Sequence, residues 1–133
     1  MSNSDIEITQ NLIPFVPIKN SIKKHILFFQ SLEKISSSII SSIPQVEHLR
    51  LDPELTLAIS TIVENVIPKK SEIDKKALVV QILDKIFTLT DDEKTLIGSQ
   101  IDYDYNNNKI IKISKWKIYG KAFSDIIKKF FLG

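Results

Sequence analysis

Three short polar motifs in the stretch Leu51–Ile101 decide the fold. They are Asp52-Pro53-Glu54, Ser71-Glu72-Ile73-Asp74 and Thr90-Asp91-Asp92-Glu93. Each contains side chains that can accept hydrogen bonds from the first free N–H groups of a helix, and acidic groups that favour the positive end of the helix dipole. An apolar pattern with the period of an α-helix follows each motif. Residues 51–101 are therefore predicted to form a three-helix scaffold.

The first helix of this scaffold is predicted to start at Asp52 as N-cap, with Pro53 in the first turn, and to end at Pro68. Lys69 and Lys70 near its end suit the negative end of the dipole. Its apolar face is predicted to contain Leu55, Ile59, Ile62, Val63 and Val66.

The second helix is predicted to start at Ser71, with the acidic Asp74 in its first turn. Its inner face is predicted to contain Ile73, Ala77, Val80, Leu83, Ile86 and Phe87. Val79 and Ile82 widen this apolar stripe, so the second helix is predicted to be central in the bundle.

The third helix has the spacing of a capping box, with Thr90 at the N-cap and Glu93 three residues later. Leu96, Ile97 and Ile101 follow at helical spacing. Beyond Ile101 the pattern fits either the last helical turn with an Asn-rich stop or a short β-hairpin over residues 101–113. The helix is favoured because an isolated hairpin is only marginally stable.

The N-terminal residues 1–20 show no helical period, and Pro14 and Pro17 bracket Phe15 and Val16. A proline disfavours the α conformation of the residue before it. An extended N-terminal arm is predicted, whose apolar side chains pack either on its own domain or on a neighbouring subunit.

Residues 21–133 are predicted to be a single helical domain, and its first helical segment runs from Ser21 to Ile43. Serine side chains compete for backbone hydrogen bonds, and this segment contains two runs of serine. The segment is therefore predicted to form either one long helix or two shorter ones. Pro44 ends the segment.

A final basic amphipathic helix is predicted for residues 115–131. Its apolar stripe is Trp116, Tyr119, Phe123, Ile126, Ile127 and Phe130, and most of the opposite side is Lys115, Lys117, Lys121, Lys128 and Lys129. Residues 51–108 carry 6 basic and 11 acidic groups, whereas residues 109–133 carry 7 basic and 1 acidic. This asymmetry suggests a tail that folds on an acidic body, its own or a copy's, or binds an anionic partner.

The chain has 133 residues and 43% hydrophobic residues, which suits one globular domain. The fold class predicted is all-α: a small bundle of four to five helices with an extended arm. Residues 1–7 are polar and do not read as a secretory signal. The longest apolar runs, such as Ile26–Phe29, are far shorter than the roughly 20 residues of a membrane span.

Catalytic and metal-binding patterns are missing from the sequence. Gly98, Gly120 and Gly133 are too far apart for a phosphate-binding loop, and His25 and His48 lack metal-ligand spacing. The acidic groups Asp91-Asp92-Glu93, Asp102 and Asp104 lack the spacing and central glycine of an EF-hand. No enzyme, no cofactor and no metal are expected.

Four segments within residues 51–111 resemble small helical proteins encoded by tailed bacteriophages. They are Leu51-Asp52-Pro53-Glu54-Leu55, Val63-Glu64-Asn65, Ile73-Asp74-Lys75-Lys76 and Leu89-Thr90-Asp91-Asp92-Glu93-Lys94. The resemblance implies a phage origin and a virion component, located in the virion or in the host cytoplasm. It carries no catalytic residue over.

The expected function is that of a non-enzymatic structural or protein-interaction protein that binds other protein subunits in a homo- or hetero-oligomer. The candidate partner-binding residues are Phe15, Val16, Trp116, Tyr119, Phe123, Ile127 and Phe130. One alternative is contact with an anionic membrane surface through Lys115, Lys117, Lys121, Lys128 and Lys129. Another is nonspecific nucleic-acid binding, although a tail without arginine lacks the commonest base-reading side chain.

Overall fold

The computed structural model describes residues 19–111. The predicted arm up to residue 18 and the predicted helix over residues 115–131 lie outside this range. Residues 19–111 contain four α-helices: α1 (Asn20–Ser42), α2 (Pro53–Val66), α3 (Lys75–Phe87) and α4 (Asp91–Asn106). Two short 3-10 turns, Val46–Leu49 and Lys69–Ser71, lie in the loops before α2 and α3.

The all-α prediction is confirmed, because residues 19–111 form helices and contain no strand. The β-hairpin considered for residues 101–113 does not form in its described part. The chain stays helical to Asn106, and Asn107 and Asn108 make the turn that follows. The serine runs do not divide the first segment either, and α1 is one continuous helix of 23 residues.

The helices pack around α3, which contacts each of the other three. α2 also packs against α4, so that α2, α3 and α4 form a mutually packed unit, and α1 lies on α3. The predicted central place of α3 is confirmed. On α2 the predicted apolar face is also confirmed: Leu55, Ile59, Ile62 and Val63 are fully buried, and Val66 packs half-buried against the core.

The predicted start of α3 at Ser71 is wrong, and the N-cap is Asp74. The Asp74 side chain accepts a hydrogen bond from the backbone N–H of Ala77 at 3.0 Å. The Ser71 hydroxyl instead donates to the carbonyl oxygen of Pro68 at 2.6 Å, within the preceding 3-10 turn. Glu72 adopts a left-handed conformation, with φ 60°, which interrupts the helical path between Ser71 and Asp74.

The inner face of α3 is also shifted from its predicted position. Its buried residues are Leu78, Val79, Ile82, Leu83 and Phe87. Ile73, Ala77, Val80 and Ile86 are only half-buried, since three neighbouring helices cover a face centred nearer to Leu78 and Ile82. On α4, Ile97 and Ile101 are buried as their spacing suggests, whereas Leu96 points outward and is 58% exposed.

Candidate functional site

The residues that the sequence nominates for function lie outside residues 19–111. These are the seven candidate partner-binding residues, Phe15, Val16, Trp116, Tyr119, Phe123, Ile127 and Phe130, and the five candidate anion-contacting residues, Lys115, Lys117, Lys121, Lys128 and Lys129. Within the described bundle, two other features remain as candidate sites: an apolar surface on α1 and a polar cluster near the end of α4.

The apolar surface consists of Ile22, Phe29 and Ile40, which are 47%, 48% and 50% exposed. We call these three residues the α1 stripe. They are 7 and 11 residues apart, or close to two and three helical turns, so they follow one side of the helix. The imidazole of His25 packs against the ring of Phe29, with 4.7 Å between ring centroids and a tilt of 50° between the ring planes. This contact widens the stripe around its middle member.

Two of the three stripe residues, Ile22 and Phe29, lie in the less buried half of α1. Residues 20–30 of α1 include no buried residue, and burial in α1 begins at Ser31. One ion pair, Lys24 with Glu72 at 3.7 Å, connects α1 to the loop before α3, and another, Glu33 with Lys85 at 2.6 Å, connects it to the last turn of α3. The stripe is thus exposed although α1 lies alongside the length of α3.

The polar cluster lies where α2, α3 and α4 meet near that same loop. The Tyr105 hydroxyl donates to the Glu64 carboxylate at 2.8 Å, and the Lys75 ammonium lies 3.5 Å from the same carboxylate oxygen. Burial and the hydrogen bond to Glu64 raise the pKa of Tyr105. This hydroxyl works as a donor that joins α4 to α2.

The end of the described chain is fixed beside this cluster. The Asn65 amide donates to the carbonyl oxygen of Ile111 and to that of Thr61, both at 2.8 Å. Residue 111 is thereby held against α2, and the chain continues from this point towards the predicted C-terminal helix.

Asp104 is almost fully buried on α4, at 1% exposure. Gln100 donates to one carboxylate oxygen at 3.0 Å, and the other oxygen, Oδ2, is buried without a hydrogen-bond partner. Burial raises the pKa of Asp104, against the opposing effects of the Gln100 hydrogen bond and the charge of Lys109. Asp102, two residues earlier, is exposed and pairs with Lys76 at 2.9 Å. The two aspartates therefore do not share a site.

The other acidic cluster, Asp91-Asp92-Glu93, begins α4. Thr90 and Glu93 form the predicted capping box, in which each side chain accepts a hydrogen bond from the other's backbone N–H. The Arg50 guanidinium donates to both Glu93 oxygens, at 2.6 and 3.0 Å. The hydrogen bonds from Arg50 have the largest effect on the Glu93 carboxylate, followed by the bond from the Thr90 backbone N–H. Together they hold the pKa of Glu93 below its usual range.

Arg50 was missed by the sequence analysis, and its contacts make it a structural link. Besides Glu93, it donates to the carbonyl oxygens of Phe87 at 2.7 Å and Thr88 at 3.3 Å. It therefore joins the loop before α2 to the end of α3 and the start of α4. The only sequence signal was that Arg50 is the single arginine of a chain rich in lysine.

His25 and His48 are both exposed, and they lie on α1 and in the first 3-10 turn. Within residues 19–111 no three His, Cys, Asp or Glu side chains are grouped so that they could hold a metal ion. In the same range, none of the helices has both the length and the apolar character needed to cross a membrane.

The fold and these surfaces define a small all-α bundle with one partly uncovered helix. Comparisons of the chain with protein-family models, with curated proteins and with solved structures find no match. Its function therefore has to be argued from its own residues.

Proposed function

We propose that this chain is a non-enzymatic structural protein that binds other protein subunits, and that it is a small component of a phage virion. The observation that carries the proposal is the α1 stripe. Three large apolar side chains, each about half exposed, lie along one side of one helix, and the apolar patches of a protein surface are often functional.

The polar groups of the described bundle support a structural role over a catalytic one. On α4, Glu93 forms a helix cap and binds Arg50, Asp102 pairs with Lys76, and Asp104 accepts a hydrogen bond from Gln100. The Tyr105 hydroxyl donates to Glu64. Asp102 and Tyr105 thus link α4 to the neighbouring helices α3 and α2.

The terminal segments add apolar side chains to the proposed interface. Phe15 and Val16 belong to the arm that leads into α1, and Trp116, Phe123 and Phe130 belong to the segment that follows Ile111. Aromatic side chains dominate the energetics of protein interfaces. The placement in a virion rests on the resemblance of residues 51–111 to phage-encoded helical proteins.

Assembly of the full chain tests this proposal. Light scattering after size exclusion over rising concentration measures self-association, and co-purification with phage particles measures binding to other subunits. We expect an oligomer or particle-bound protein, and weaker association for Ile22→Ser combined with Phe29→Ser. Leu96→Ser is the matched control, since Leu96 is a similarly exposed apolar residue on α4. A chain that stays monomeric and is absent from particles contradicts the proposal.

A membrane-surface role is the alternative, and the alternation of lysine with Trp, Tyr and Phe over residues 115–131 favours it. Flotation with anionic vesicles at low salt tests it. Binding that Lys128→Gln combined with Lys129→Gln weakens would support this role over a purely protein-binding one. Nonspecific nucleic-acid binding through the same lysines is the second alternative, and it requires a gel shift that weakens steeply with salt.

A further inference from the structure

We propose that copies of this chain associate head to tail, with the basic end of one helical bundle against the acidic end of the next. The inference rests on the proposed function, which is the binding of other protein subunits. It names a second copy of the chain as one partner, and it assigns this contact to the charged ends of the bundle.

Ion pairs along the bundle show that α1 and α3 run in the same direction. Lys24, near the start of α1, pairs with Glu72 in the loop before α3. Glu33, further along α1, pairs with Lys85 in the last turn of α3. The two helices therefore begin at the same end of the bundle.

The other two helices run in the opposite direction. Lys76 at the start of α3 pairs with Asp102 near the end of α4, and Asp84 near the end of α3 pairs with Lys94 in α4. The hydrogen bond between Tyr105 and the Glu64 carboxylate joins the end of α4 to the end of α2. Thus α2 and α4 begin where α1 and α3 end.

The two ends of the bundle carry opposite net charge. The basic end, residues 19–24, 64–76 and 102–109, carries 8 basic and 5 acidic groups. The acidic end, residues 46–54 and 84–94, carries 7 acidic and 3 basic groups. Their net charges are therefore +3 and −4. Copies placed head to tail bring these opposite charges together, which favours their encounter and fixes their orientation.

Helix stability accounts for the acidic end but not for the lysines at the start of α1. Asp52 caps α2, and Thr90 and Glu93 cap α4, where negative charge favours the helix. In contrast, the first turn of α1 contains no acidic residue, and Lys19 and Lys23 lie at this helix start. Lysine there faces the positive end of the helix dipole, so these two charges do not stabilise α1.

Several exposed charges at each end have no ion-pair partner among residues 19–111 and are available to a second copy. At the basic end these are Lys19, Lys23, Lys69 and Lys70. At the acidic end they are Glu47, Glu54, Asp91 and Asp92. Each copy thus offers four lysines on one end and four carboxylates on the other.

The mixture of charges at the basic end favours a protein partner over a nucleic acid. Glu72 and Asp74 lie in the same loop as Lys69 and Lys70, and all four side chains except that of Lys69 lie within five residues. The two carboxylates would repel a polyanion, whereas the acidic end of a second copy also carries basic groups that can pair with them.

The contact is expected to be weak and to continue from copy to copy. Four helices of about 10 Å diameter present an end of roughly 400 Å², whereas a stable interface needs about 800 Å² on each partner. Because each copy uses a different surface at each end, association does not stop at a pair. Such a contact suits subunits that an assembly already holds at high local concentration.

The test mixes two forms of the full chain and measures the loss of amide signals across the contact. The chain has no cysteine, so Thr88→Cys gives an exposed nitroxide attachment point at the acidic end without removing a charge. Unlabelled chain that carries the nitroxide is mixed with isotope-labelled chain that does not. At an ionic strength of about 0.01 M, where the Debye length is about 30 Å, we expect the signals of Lys23 and Lys70 to lose intensity. The signal of Glu54 should keep it.

Salt and charge variants identify the force that holds the copies together. The signals should return at about 1 M salt, where the Debye length is about 3 Å. Lys69→Gln combined with Lys70→Gln in the isotope-labelled chain should reduce the loss by more than half. The matched control is Gln81→Glu combined with Ser99→Glu, which changes the net charge equally at exposed positions midway along α3 and α4. It should retain most of the loss.

Three results would overturn the head-to-tail contact. One is unchanged signals at the basic end, and the second is a loss confined to residues 115–131, because the acidic end would then hold the basic tail of the other copy. The third is a loss that Phe29→Ser abolishes, since the copies would then meet through the α1 stripe. That third result contradicts the end-to-end contact and still supports the proposed function. Chain that co-purifies with phage particles but shows no signal loss likewise contradicts only the head-to-tail contact.

Discussion

Helices α3 and α1 both carry apolar residues at helical spacing, yet these side chains are covered to different extents. On α3, Ile82 is fully buried and Leu83 is 2% exposed, because three helices pack around it. On α1, Ile39 is fully buried, whereas Phe29 is 48% exposed. The spacing of apolar residues thus indicates which side of a helix is apolar. It does not indicate whether another element covers that side.

The largest expected effect comes from placing a charge on each helix. Leu83→Asp buries a carboxylate among apolar side chains without a partner and should cost several kcal/mol, which is enough to unfold the bundle. Phe29→Asp puts the same group at a half-exposed position, and we expect a much smaller loss, of about 1 kcal/mol. Thermal unfolding followed by far-UV circular dichroism measures both.

Two results would break this contrast. A cooperatively folded Leu83→Asp chain would mean that α3 is not central. Equal damage from Phe29→Asp would mean that the α1 stripe is as essential to the fold as the core is.

The second contrast concerns helix starts. Thr90 accepts a hydrogen bond from the Glu93 N–H at 3.2 Å, whereas Lys19 at the start of α1 makes no side-chain cap bond. Thr90→Ala should therefore lower the free energy of unfolding by roughly 0.5–2 kcal/mol, and Lys19→Ala should leave it nearly unchanged. Urea unfolding with a common slope compares the two. An unaltered midpoint for Thr90→Ala would show that the capping box adds nothing to stability.

Asp104 provides a pH-dependent test inside the α2–α4 unit. Burial raises the pKa of Asp104 in the folded state, so the folded chain holds the carboxyl proton more tightly than the unfolded chain does. The stability gained in this way is fully present below the ordinary aspartate pKa, and it is lost as the pH rises through the raised pKa. Asp104→Asn removes the buried charge and keeps an acceptor for Gln100. We expect a higher melting temperature than wild type at pH 7, and a gain that shrinks towards pH 4.

Asp102→Asn is the control for this measurement, because it lies on the same helix but is exposed and paired with Lys76. It should give no gain at pH 7. If Asp104→Asn lowers the melting temperature at pH 7, an ionised Asp104 stabilises the fold and the burial argument fails.

The parts of the fold that the sequence predicts correctly depend on nearby residues. Asp52 and Thr90 cap helices through N–H groups two or three residues away, and Pro44 and Pro68 lie just beyond the ends of α1 and α2. Ser71 and Asp74 show the limit of such local reasoning. Both side chains can cap a helix, and the left-handed conformation of Glu72 between them decides for Asp74.

The parts that the sequence does not predict depend on distant residues. Arg50 binds groups 37 to 43 positions away, which no local pattern indicates. The exposure of Phe29 and the burial of Asp104 likewise depend on which other elements lie against each side chain. The nominated partner-binding residues of the arm and of residues 115–131 lie outside the described bundle, so their role stays a prediction.

The smallest expected effect concerns Gly98, where α4 passes close to the Lys76 side chain of α3. A Cβ at this position would lie 3.3 Å from Lys76 Cε, which is tight, but that atom is near the end of a flexible and partly exposed side chain. Alanine is favoured over glycine inside a helix by up to ~1 kcal/mol. Gly98→Ala should therefore be stabilising, by less than that full amount because Lys76 must shift.

An alanine substitution on α1 provides a reference value for the stability gained by Gly98→Ala. Ser37→Ala on the exposed side of α1 has no facing side chain to displace, and it should give roughly 0.5 kcal/mol from helix propensity alone. The gain from Gly98→Ala should increase when Lys76 is first changed to alanine, since the obstructing atoms are then absent. The contrary result is that Gly98→Ala lowers the free energy of unfolding and that Lys76→Ala fails to restore it. That result would show that atoms other than the Lys76 side chain resist the added methyl group. The packing of α4 on α3 would then be more rigid than the contact with Lys76 alone implies.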